Sequence, residues 1–93
     1  VFRIPYIKKE GRNGREKIDP LIQPIIDHLK DIPQEEVDGV INYIVTKILK
    51  NIYPPRYYHY NKAIGVLECI KQEYYRRVVA PYEDKKIVEN GDV

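Results

Sequence analysis

Apolar residues recur at helical spacing along most of the chain, and the recurrences mark out its elements. In "DPLIQPIIDHLKDI", Leu21, Ile22, Ile25, Ile26 and Leu29 share a face, Asp19 can cap, and Pro20 suits the first helical position. Pro24 opposes the carbonyl four residues back, so this short helix either kinks there or begins near Leu21. The clearest pattern is "DIPQEEVDGVINYIVTKILKNIY". Glu35 and Glu36 complement the dipole of its first turn. Val37, Val40, Ile41, Ile44, Val45, Ile48, Leu49 and Ile52 then cover about half the circumference, which predicts contact with two neighbours.

Pro54 and Pro55 end that helix. The next, "KAIGVLECIKQEYYRRVVA", follows a cap at Asn61 and presents Ala63, Val66, Leu67, Ile70, Tyr74 and Val78. A second stripe of Ile64, Tyr75 and Val79, interrupted by Glu68, runs along its flank and needs a cover. Pro81 ends this helix or opens a last short one, "PYEDKKIVEN", terminated by Gly91. Residues 1–18 show no helical period and contain one proline and two glycines, so they read as an extended basic arm. The expected fold is all-α. A small bundle of three main helices and a short C-terminal one occupies residues 19–93, behind that arm.

Composition sharpens this picture. Ninety-three residues make one domain with a thin core. With nine Tyr, one Phe and no Trp, that core must use amphipathic rings whose hydroxyls want partners, which places them near water or a second subunit. The single cysteine, Cys69, excludes an internal disulfide and a Cys-rich zinc site. No apolar run approaches a membrane span or a signal peptide, so a cytoplasmic location is expected, with no membrane partner. The chain begins at Val and contains no Met, so its N-terminus reads as incomplete.

Charge is distributed in blocks. Residues 1–18 carry a net +4, residues 19–53 a net −3, residues 54–77 a net +3 and residues 78–93 a net −2. Alternation of this kind suits self-association or a bound anion better than a general nucleic-acid binder, which is usually far more basic.

Several chemistries lack their parts. The glycines are scattered, so no phosphate-binding loop forms, and the chain contains no serine. His28 and His59 are isolated from other metal ligands. A magnesium-dependent nucleotide phosphohydrolase would need two pairs of acids; Glu35 and Asp38 make one at best, and Glu68 and Glu73, five residues apart on the third helix, are separated around it. First-turn dipole complementation, and pairing of Glu73 with Arg77, account for most of these acids more simply. Neither an enzymatic activity nor a cofactor is expected. Within its apolar stripe Glu68 calls either for an Arg partner, from Arg56 or a second subunit, or for exposure to solvent.

"PPRYYHYNK", residues 54–62, admits two readings. Tyr57, Tyr58 and Tyr60 beside Arg56 and Lys62 can stack and neutralise a nucleotide or nucleic acid ahead of a helix N-terminus. Alternatively, the segment is a helix-to-helix hinge whose rings fill the thin core. Arg76 and Arg77 in "YYRR" join the candidate ligand set, on the outer side of the helix.

The stretch "GVLECIKQEYYRRVVAPYEDKKIVENGDV", residues 65–93, with "GVINYIVTKIL" before it, resembles a family of small uncharacterised proteins encoded in archaea, bacteria and phages. Members of that family end in a similar "YRRVVAPYED…KI…ENGDV" run, and the likeness covers residues 37–93. The resemblance implies that Arg76, Arg77, Pro81, Tyr82, Glu83, Asp84, Glu89, Asn90, Gly91 and Asp92 form the family's recognisable element. It carries over no catalytic residue. The reading that follows is a non-enzymatic homo-oligomer with Ile64, Glu68, Tyr75 and Val79 at its interface; the alternative is the nucleotide or nucleic-acid binder.

Overall fold

The computed structural model describes residues 7–92. Its elements are α1 (Arg15–Asp31), α2 (Gln34–Ile52), α3 (Tyr57–Tyr74), a π-turn (Tyr75–Val79) and α4 (Ala80–Asn90). No strand forms among the described residues, so the fold is all-α as expected. The chain divides into two units, Val1–Ile52 and Tyr53–Val93.

In the first unit, α1 begins four residues before Asp19, and Arg15 and Lys17 belong to it. The expected extended arm over residues 1–18 is not found: residues 15–18 are helical, residues 8–14 fold back in a turn, and residues 1–6 lie outside the described residues. The cause is a backbone cap. Residues 8–14 fold back so that the carbonyls of Lys8 and Lys9 accept the N–H groups of Arg15 (2.7 Å) and Glu16 (3.1 Å). Two of the donors that every helix start leaves open are thereby satisfied without a capping side chain. Gly11, at φ +105°, makes the reversal possible. Gly14 is buried against the loop, and a Cβ there would lie 2.5 Å from the Glu10 carbonyl oxygen. Asp19 is thus an interior residue rather than a cap, and both Pro20 and Pro24 fall inside α1. Each removes one rung of the hydrogen-bond ladder.

The boundaries of α2 follow the pattern closely. Pro33 cannot extend a helix backwards but its carbonyl accepts from Glu36 (2.9 Å), and Pro54 stops the other end. Its most protected side chains, Val37, Val40, Ile44, Val45 and Leu49, are only half-buried.

In the second unit the prolines act locally. Arg56 takes extended geometry (φ −138°, ψ 151°) after Pro55 and becomes the residue preceding α3. Tyr57 to Lys62 are therefore helical. They do not form a hinge, and Asn61 is not a cap, because no breaker follows Pro55 and the Arg56 carbonyl already accepts from Tyr60 (2.9 Å). Pro81 lies in the first turn of α4, close to the expected opening of a last short helix, but no break separates that helix from α3. The π-turn drops the ladder back by one residue, with the Ala80 N–H reaching the Tyr75 carbonyl, and the missing donor of Pro81 is absorbed near the start of α4. One helical run results from Tyr57 to Asn90. Gly91, at φ +91°, closes it by donating to the Ile87 carbonyl (2.8 Å), the expected role.

No helix in either unit buries a side chain.

Candidate functional site

The start of α3 carries most of the ligand candidates. Tyr57 is 79% exposed and Tyr60 54%, so these rings stand out from the helix surface. Tyr58 is engaged by its neighbours: the Lys62 ammonium lies 5.5 Å from its ring centre, and His59 meets it edge-on at 5.1 Å. The same Tyr-to-Lys step of four residues recurs at Tyr43 and Lys47 (5.5 Å) and at Tyr82 and Lys86 (5.6 Å). Residues four apart are helix neighbours, and an exposed cation over a ring is worth about 0.5–1 kcal/mol. Lys62 thus lies near one face of Tyr58, which is still 66% exposed. Tyr57, Tyr60 and Arg56 keep exposed surface around the first turn.

Further along, the acids set the geometry. Glu68 finds no arginine. It accepts from Gln72 (2.8 Å) and pairs with Lys71 (3.1 Å), both on its own helix. The expectation of an Arg56 partner fails because side chains one turn away reach the carboxylate first while it remains in solvent. The Gln72 hydrogen bond, and then Lys71, hold the Glu68 carboxyl below the usual range. Glu73 accepts from Arg76 (2.6 Å) and from the Arg77 Nε (3.0 Å), so one carboxylate draws both guanidinium groups to it. The Arg77 pairing was legible in the sequence. That of Arg76, three residues on, is a second reach of the same acid.

The π-turn creates a contact that spacing does not announce. The Tyr75 hydroxyl donates a short hydrogen bond to the Glu83 carboxylate, eight residues ahead. That bond, followed by the charge of Glu83, pushes the Tyr75 phenol up from its ordinary value. In a regular α-helix, residues eight apart are separated by more than two turns and lie off one another's line. Glu83 was therefore missed as a partner, and Pro81 inside a continuing apolar pattern was the signal available. Among the interface candidates, Ile64 is 65% exposed, Tyr75 is exposed and held by Glu83, and Val79 is half-buried in the π-turn.

Glu35 and Asp38 lie exposed near the start of α2. No three His, Cys, Asp or Glu residues gather in a way that could hold a metal ion, among the described residues. Nor is any helix among them long and apolar enough to cross a membrane.

No curated protein and no solved structure matches the chain. A family model described as a domain of unknown function, DUF6899, matches residues 4–93. Its span takes in both units and the whole C-terminal "YRRVVAPYED" element, and the chain belongs to the DUF6899 family.

Proposed function

We propose that this protein is a non-enzymatic cytoplasmic module that works as a homo-oligomer, its apolar helix faces covered by further copies of itself. The observation that supports this reading is the lack, among the described residues, of any buried apolar side chain. Burial of apolar surface is the dominant favourable term in folding, and most helical stability in proteins comes from packing of an apolar face rather than from propensity. Folding and association are then one process, as in obligate homodimers. The cover is a second copy because the charge blocks alternate in sign, so a single sequence supplies both complementary surfaces. Light scattering and native mass spectrometry test the reading, alongside thermal unfolding over a range of protein concentrations. The expected result is an oligomer whose midpoint rises with concentration. A stably folded 11.0 kDa monomer at every concentration refutes it.

The exposed rings of Tyr57 and Tyr60 beside Arg56 favour a second reading, a binder of nucleotides or nucleic acid. Lys62, Arg76 and Arg77 would add charge, with Tyr58 and its lysine beside them. A ligand that binds only the native state must raise the melting temperature, so a screen of mono-, di- and cyclic nucleotides and short oligonucleotides decides this. No shift at saturating concentration removes it.

A further inference from the structure

We infer that the Tyr57–Asn90 helical run pairs with the same run of a second copy, antiparallel and centred near Gln72 and Glu73. This rests on the self-association reading above and adds its surface and direction.

One face persists along the run. Tyr60, Ile64 and Glu68 are four residues apart and share a side, and Tyr75 returns to it seven residues after Glu68. The hydrogen bond from Tyr75 places Glu83 on that side beyond the π-turn, and Ile87 follows four residues later. The π-turn therefore carries the face past Pro81. Tyr60, Ile64 and Ile87 on it are all exposed.

Charge then selects the direction. Residues 54–77 carry Arg56, Lys62, Lys71, Arg76 and Arg77 against Glu68 and Glu73. Residues 78–93 carry Glu83, Asp84, Glu89 and Asp92 against Lys85 and Lys86. A parallel pair would set basic against basic and acidic against acidic along its whole length. An antiparallel pair sets each basic part against the partner's acidic part and opposes the two helix dipoles. The register also falls out of the sequence. Arg56 and Glu89 are equidistant from the Gln72–Glu73 midpoint. A two-fold axis there brings Arg56 level with the partner's Glu89 twice over, as an isologous contact requires.

Cross-linking tests this directly. On a Cys69→Ala background, Tyr60→Cys and Ile87→Cys proteins are prepared separately, mixed and treated with a short bis-maleimide. The expected product is the mixed 60-to-87 dimer, in excess over either like-with-like dimer. Predominance of like-with-like products means parallel pairing and overturns the inference, while self-association stands. A dimer by light scattering that gives neither product places the contact elsewhere and also overturns it. A monomer under all conditions removes this inference and the underlying reading together. A second measurement avoids the cysteine variants: Arg56→Glu and Glu89→Arg should each weaken self-association several-fold, and mixing them should restore it as a heterodimer. Failure of the mixture to recover overturns the pairing.

Discussion

Replacing Ile64 with Ala probes self-association with little disturbance of the helix itself. Ile64 is 65% exposed on α3, so a partner has most of its side chain to cover. Complete burial of an Ile is worth about 1.5–3 kcal/mol, which scales to about 1–2 kcal/mol for the exposed fraction. A two-fold interface contains the residue twice, doubling this to about 2–4 kcal/mol per dimer. Ala retains one of the four side-chain carbons, leaving a loss of about 1.5–3 kcal/mol on the same area scale. At 1.4 kcal/mol per decade, the dissociation constant should rise about 10- to 150-fold. Ala is also the strongest helix former, so local helix propensity does not fall. Sedimentation equilibrium over a dilution series gives the constant, and far-ultraviolet circular dichroism at high concentration confirms that the variant still forms helix. A wild-type oligomer whose dissociation constant is unchanged by Ile64→Ala would refute the assignment of this face.

Gly14→Ala should destabilise the N-terminal loop by about 1–3 kcal/mol, since the new Cβ meets backbone atoms of Glu10 and Lys8 that cannot move aside cheaply. Faster amide exchange at Arg15 and Glu16 is the readout. The Tyr75 phenol should ionise above the ordinary tyrosine range in a pH titration followed by NMR of labelled tyrosine, and Glu83→Gln should bring it down. A raised folded-state value means that its stabilising contribution is complete below the unfolded value and is lost as pH rises through the folded one. Glu68 has the opposite sign: its carboxyl is depressed, so its contribution holds above the unfolded value and fades as pH falls through the folded one. Gln72→Ala should raise its titration midpoint. Pro81→Ala should strengthen the helical run by less than the about 3 kcal/mol that separates proline from alanine in a helix interior, since Pro81 lies in the first turn of α4. It restores an N–H and removes the need for the π-turn, and loss of the Tyr75–Glu83 contact by NMR would report the change in register.

Local physics made much of this protein legible in its residues. Helix α2 could be bounded from its apolar period, its first-turn acids and its flanking prolines, because each acts within a few residues of itself. Pro54 and Pro55, the Gly91 terminus and the Glu73–Arg77 pair follow from the same short-range rules. Three decisions waited for the folded backbone. The start of α1 depends on carbonyls of Lys8 and Lys9, and a carbonyl leaves no mark of residue type for a capping pattern to detect. The start of α3 depends on Arg56 taking extended geometry, after which the Tyr-rich segment that looked like a connector is free to be helix. The passage through Pro81 depends on one shifted rung of the ladder, which turns α4 about the helix axis and brings Glu83 to Tyr75. Periodicity fails at that point because its warrant is a constant number of residues per turn, and the π-turn changes that number.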